Sequence, residues 1–431
     1  MNDVSDHPKD YYGHRLAEVN AFNPVIANEN ICNQKGVLLI SKGTRFSRSQ
    51  ADLIVNHRLI KPLEHSVDIE HSLAAKGLFD LLRKTFTQLP GLNAVINNES
   101  VQSAIKRFCR FYEKHPLLRQ KLTVLSQQLP EIYYQSLFSS MAGVALAQEL
   151  SLGEEDQRTV FIGGLMHNSG FLHLNPELTR NEGELEKNAS LDAQVHPIIA
   201  KLFLEHVPGL PKCISNAVAD HHERTDGTGY PKSKFGDELS IASQIIALTD
   251  TIVASYNRCL CYGEHAHQLV LLVLQLNNNV HFATVYKAAS RLILRGPMPN
   301  TPPANPPTAR DVLKQQQRIV VNFDMYKKLA FVLMKNVRSK HTRSIASMVG
   351  RLAASFISAG IIQQNYCDWL EAVSKSDRPE DHLSLLKSKI LQDEVERQLI
   401  QLRVIIWKTI KTIPKEDQTL IEATTQAYNQ L

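Results

Sequence analysis

The chain reads as a mainly α protein, with a central helical bundle, a small α+β unit before it and an all-α bundle behind it. Three observations predict this class. Between residues 131 and 295 nearly every segment carries apolar residues at helical spacing. Residues with strand character and glycine punctuation gather only near the N-terminus. Beyond a proline-dense break, a single apolar helix face resumes.

Taken in order, residues 1–68 form the small α+β unit. Gly36-Val37-Leu38-Leu39-Ile40 and Gly43-Thr44 predict a short β-hairpin. Ser47-Arg48-Ser49-Gln50 opens a helix with Leu53, Ile54 and Leu59 on its apolar side. Residues 69–130 make a helical connector, with Leu73, Leu78, Leu81 and Leu82 at turn spacing. In 131–295 helices are predicted over 135–150, 156–167, 192–205, 212–222 and 241–256. Residues 296–307 hold six prolines between Pro297 and Pro307 and read as an extended, semi-rigid linker. Residues 308–431 form the C-terminal bundle. Ile345, Met348, Val349, Leu352, Ala353, Phe356 and Ile357 share one helix face, and Val404, Ile405, Trp407 and Ile410 belong to a last helix after the charged stretch 393–397.

Composition narrows the class. The chain has 431 residues, of which 43% are hydrophobic and 21% charged, as in ordinary globular proteins long enough for two or three domains. A net charge of +5 is too mild for a binder of nucleic-acid polymers. The N-terminal residues show no secretory signal pattern. The longest apolar stretch, Leu269 to Leu276, falls far short of the roughly 20 residues that span a bilayer. Cys32, Cys109, Cys213, Cys259, Cys261 and Cys367 form no metal-ligand quartet and suit a reducing compartment, so a cytoplasmic protein is expected.

The chemistry concentrates in one constellation: His167, His196-Pro197, His221-His222-Glu223, the run Asp226-Gly227-Thr228-Gly229-Tyr230-Pro231, and Asp250. Neutral imidazoles and a carboxylate are ligands for a transition metal. The interval from His167 to His196 equals that from His221 to Asp250. This order resembles the HD-GYP family of metal-dependent phosphodiesterases that hydrolyse cyclic di-GMP. The resemblance covers residues 131–295 and implies an HD-type helical bundle. It also implies a metal site at His167, His196, His221, His222 and Asp250, and a loop, Asp226, Gly227, Gly229, Tyr230 and Pro231, that meets a ligand or a diguanylate-cyclase-type (GGDEF) domain.

The chain departs from that pattern at chosen places. Where the family has His-Asp, with the aspartate bridging two metals, it reads His167-Asn168. The family's first histidine ligand falls at Gln135, and its phosphate-meeting lysine at Phe171. An arginine position reads Gln244 and a proline position Ser240. The resemblance thus implies one metal on His196, His221 and His222 (iron, manganese or zinc) or no metal at all, with His167 and Asp250 left at the other position.

Three functions follow as expectations. The first is a catalytically silent HD-GYP-like protein, a cyclic di-GMP sensor or a protein-interaction platform. The second is an active phosphodiesterase with an altered site, in which Glu177 or Asp192 replaces the missing carboxylate. The third is a helical scaffold without nucleotide binding. A homodimer is compatible with all three.

Overall fold

The computed structural model describes residues 10–87, 98–179, 193–358, 360, 364–376 and 378–414. The protein is mainly helical and divides into two compact units. One runs to His221 and includes Ile245–Asp250; the other comprises His222–Gln244 and the chain from Thr251 onward.

The first unit opens with α1 (Tyr12–Val19) and two small antiparallel sheets. β1 (Val25–Ala27) pairs with β4 (Val67–Ile69) in the register Val25 to Ile69, and β2 (Ile31–Cys32) pairs with β3 (Leu38–Ile40). The hairpin therefore lies one turn earlier than its glycines suggested. The Asn33 side chain accepts the backbone N–H groups of Lys35 and Val37, and Gly36 adopts φ +78°, closing the turn upstream of Leu38. α2 (Arg48–Ile54) starts at a capping box of Ser47 and Gln50. It ends at Ile54, so Leu59 lies beyond it, while Leu53 is exposed and Ile54 is buried.

Helices follow: α3 (Ala75–Thr87), α4 (Glu99–Glu113), α5 (Pro116–Gln128), α6 (Pro130–Glu149) and α7 (Glu154–Met166). Asn98 caps α4 by accepting the Ser100 N–H. Pro116 and Pro130 occupy first turns, where a missing N–H costs nothing. α6 and α7 approach closely because Gly164 lies against the α6 backbone: a Cβ there would stand 2.6 Å from Ser140 N. α8 (Pro176–Thr179), α9 (His196–Glu205) and α10 (Lys212–Ala219) follow among the described residues.

The second unit contains α12 (Ala266–Leu276), α13 (Ala283–Leu294), α14 (Ala309–Asn336), α15 (Lys340–Ser358), α16 (Gln364–Ser376) and α17 (Pro379–Thr412); α11 (Ile241–Cys259) contributes residues to both units. Ile345, Met348, Leu352 and Phe356 of α15 are fully buried among Leu329 and Leu333 of α14 and Val395, Leu402 and Ile406 of α17, whereas Ile357 points outward. The charged stretch at 393–397 does not precede the last helix, as expected, but lies inside it. Glu394 is buried there and is compensated by Arg397 at 2.6 Å, Arg258 at 3.8 Å and the Asn277 amide at 2.7 Å. Burial with paired cations lets a charged run continue a helix that exposure alone would not explain. The proline-rich stretch forms no helix or strand, and its Pro299 carbonyl accepts from Gln268 Nε2 at 3.0 Å. Among the described residues no helix is long and apolar enough to cross a membrane.

Candidate metal centre

Three imidazoles of the first unit share one construction. His167 sits at the end of α7, His196 begins α9, and His221 follows the end of α10. Each places Nδ1 on the carbonyl three residues earlier: Gly164 O at 2.8 Å, Ala193 O at 2.7 Å and Val218 O at 2.6 Å. Nδ1–H is thereby the donor and Nε2 is left facing the site, as in metal-ligating histidines oriented by an outer hydrogen bond. All three rings are buried. Burial pushes the pKa of His196 down to about 3, which keeps it a neutral ligand.

The Nε2 atoms converge. His196 Nε2 lies 3.4 Å from His221 Nε2, and the His167 and His221 rings meet edge to face at 4.9 Å. Two lone pairs 3.4 Å apart repel one another unless a cation shares them. His167 Nε2 makes no hydrogen bond and stands 3.5 Å from the Asp250 carboxylate. An orphaned buried nitrogen beside an anion, and two acceptors face to face, fit a bound cation. The ligand atoms of His196, His221 and the next residue, His222, lie within 4.8 Å of one another.

The departures from the family pattern sit in the same place. Asn168, buried, immediately follows His167 and starts the short turn Ser169–His173. Within that turn the Phe171 ring stacks flat on the His196 imidazole, with centroids 3.9 Å apart and planes 19° apart. A phenyl group thus covers one face of a ligand where the resemblance implies a lysine. Gly170 makes this possible: a Cβ there would lie 2.1 Å from the His196 carbonyl oxygen. Gln135 is half-buried on α6. Of the acids suggested as substitutes, Glu177 is exposed and Asp192 lies outside the described residues.

The role of Gly170 predicts a measurable effect. Gly170→Ala should lower stability by about 1–3 kcal/mol, the usual cost of overpacking, because a backbone oxygen is a fixed obstacle. Gly350→Ala, a helical position with open space around it, should raise stability by roughly 0.5–1 kcal/mol instead. Denaturant unfolding of both variants checks the pair, and equal effects would contradict the packing account.

The loop is tied down by its own residues and by α15. Glu223, fully buried, accepts the N–H groups of Lys232 at 2.6 Å and Lys234 at 2.9 Å, stapling the loop's two ends. Asp226 accepts from Thr228 N and Oγ1 at 3.1 and 2.6 Å, and its other oxygen pairs with Arg351 of α15. Gly227 O accepts from Ser344 at 2.5 Å. Gly227 adopts a positive φ of +74°. Gly229 is needed for space: a Cβ would meet Glu223 Cα and Arg224 N at 2.4 Å. Tyr230 is half-buried and stacks on His222 at 4.6 Å, and the Tyr230–Pro231 peptide is cis. Between Glu223 and Phe235 the exposed residues are Pro231 and Lys232. Ser240 caps α11 by accepting from Ser243 N, and buried Gln244 donates to Glu223 O at 3.5 Å.

Histidines from three helix ends thus converge in a helical bundle, and residues 109–281 of the chain match the HD domain family model. Relatives that match this chain over part of that stretch are named as cyclic dinucleotide phosphodiesterases, in line with the resemblance to the HD-GYP family. It is 35% identical over 109 residues to 3'3'-cGAMP-specific phosphodiesterase 1 of Vibrio cholerae serotype O1, covering 25% of each chain. It is 27% identical over 117 residues to the cyclic di-GMP phosphodiesterase response regulator RpfG of Xanthomonas campestris pv. campestris, covering 27% of this chain and 31% of that one. The similarity thus spans only about a quarter to a third of these relatives' own lengths. Among solved structures, Bd1817, a HDG"Y"P protein from Bdellovibrio bacteriovorus, aligns with a TM-score of 0.32 and 15% identity over 63% of this chain and 95% of that one.

Proposed function

We propose that this chain is a cytoplasmic signalling protein that binds a guanine-containing cyclic dinucleotide, cyclic di-GMP or 3'3'-cGAMP, without hydrolysing it. The observation that carries the reading is the Phe171 ring lying on His196, beside an asparagine where the family has its metal-bridging aspartate. A neutral amide cannot bridge two dications, and a phenyl ring offers no charge to a phosphate. The relatives named for cyclic dinucleotide hydrolysis support the ligand class. Calorimetric titration with each nucleotide, followed by product analysis, tests this. Binding with no linear product is expected, turnover at about 1 per second or more would establish an active enzyme, and failure to bind either nucleotide would favour a scaffold.

One divalent ion, iron, manganese or zinc, would be held by His196, His221 and His222. When bound, such an ion polarises a ligand oxygen and lowers the pKa of its water. The expected stoichiometry is at most one ion per chain, and His221→Ala should release it because two imidazoles are too few. Elemental analysis of both proteins decides this; two ions per chain, or an ion retained by His221→Ala, would contradict the assignment.

As an interaction platform, the chain is proposed to present the exposed loop end at Pro231 and Lys232 to diguanylate-cyclase-type (GGDEF) domains. The support is that Asp226 and Gly227 are already engaged by Arg351 and Ser344.

A further inference from the structure

Lys121 on α5 is fully buried, and its ammonium group touches four separate segments. Nζ lies 2.7 Å from His173 Nε2 and 3.4 Å from Glu64 Oε1. It also lies 3.3 Å from the centroid of the Tyr12 ring and 4.7 Å from that of Phe203. An ammonium removed from water is expensive unless paired, and apolar residues often fill such a position at no loss of stability. Stability alone therefore gives little reason for a lysine here. Its geometry gives a better one.

Two of the four contacts come from the small N-terminal module: Tyr12 from α1 and Glu64 from the turn Leu63–His65. The other two lead to the candidate site. His173 ends the turn that follows Asn168 and contains Phe171, and Phe203 lies two helical turns after His196 on α9. The N-terminal residues grip His173 on every side. Its Nδ1 is 2.9 Å from Asp10 Oδ1, its ring stacks on Tyr12 at 5.0 Å and 15°, and its carbonyl accepts from Tyr11 N at 3.2 Å. Tyr12 in turn donates to Gln120 at 3.0 Å, and Gln120 donates to the Glu64 and Val67 carbonyls at 3.0 and 2.7 Å. One turn of chain separates this grip from the phenyl ring that lies on His196.

We propose that Lys121 is a positioning residue through which the N-terminal module sets the turn bearing Asn168 and Phe171 and the helix bearing His196. A ligand or partner that displaces α1 or the Leu63–His65 turn would thereby shift Phe171 against His196. The functional consequence rests on the site reading given above; the mechanical coupling does not.

Hydrogen exchange read by mass spectrometry on the full chain tests the coupling. Glu64→Gln weakens the charge pairing while leaving both site segments chemically intact. It should raise exchange by at least about tenfold in peptides covering 168–174 and 196–203, leaving the 345–356 peptide of α15 unchanged. Lys121→Met should give the same pattern, and combining the two changes should add little, because both delete one interaction. Increased exchange confined to residues 12–69, a uniform increase across the chain, or fully additive effects would each overturn the proposal. Calorimetry with Mn²⁺ on the same proteins separates the two readings. Absence of Mn²⁺ binding in every form would count against the metal assignment, while the exchange pattern would still decide the coupling.

Discussion

Supplied with manganese or iron, the purified protein should release no linear product from cyclic di-GMP or 3'3'-cGAMP, and Asn168→Asp alone should leave it inactive. A dinuclear hydrolytic site clamps the attacking and leaving oxygens between two ions and generates hydroxide near neutral pH. Three positions stand against that arrangement here. Asn168 supplies no bridging charge, Gln135 offers a half-buried amide where the resemblance implies an imidazole, and Phe171 covers one face of His196. Restoring the carboxylate leaves the ring in place and the ligand missing. Groups that act as a unit are strongly non-additive, so one of three repairs returns little. Asn168→Asp combined with Gln135→His and Phe171→Lys should gain far more than the three single changes together. Product formation by the Asn168→Asp protein near the 1 per second typical of the slower enzymes would show that the phenyl ring is no obstacle.

Much of the candidate site was legible in the sequence because it depends on residue type and order. The structure sets His196 beside His221, His221 beside His167, and His167 beside Asp250. The helices of the bundle were legible to within a few residues, since their periodicity is strong. What stayed hidden depends on contacts between distant segments. Nothing in the sequence showed that Gly170 admits the His196 carbonyl or that the Phe171 ring would lie on that imidazole. The run before residue 135 carried no visible chemistry, yet Lys121, Glu64 and Tyr12 form a buried charged cluster there. Lysine and glutamate are ordinarily surface residues, and only the fold reveals that these two are not. The hairpin was misplaced because Gly43 looked like its turn, while Asn33 and Gly36 make it. The loop aspartate, which the resemblance placed in a ligand or partner loop, pairs with Arg351, on a helix that the sequence assigned to another domain.

That pairing carries the second large effect. Arg351→Met should destabilise the second unit by about 3–5 kcal/mol, the range found when one partner of a buried ion pair is removed. Both side chains are almost wholly buried, at 6% exposure for Arg351 and 9% for Asp226, so water cannot replace the lost guanidinium. Ser347 Oγ, 3.4 Å from the same carboxylate oxygen, is too weak a donor to compensate. Trp369 and Trp407 both belong to this unit, on α16 and α17, so tryptophan fluorescence during urea unfolding reports on it directly. With an m-value of about 2 kcal/mol/M, the midpoint should fall by roughly 1.5–2.5 M. Asp226→Asn added to Arg351→Met should recover part of the loss, because the stranded charge, rather than the missing contact, is the larger cost. A midpoint for Arg351→Met within about 0.3 M of the unmodified protein would mean that the carboxylate finds water or another cation. The loop would then be held by Glu223, whose two oxygens bind Lys232 N and Lys234 N, and by its glycines, and α15 would be a neighbour rather than its anchor.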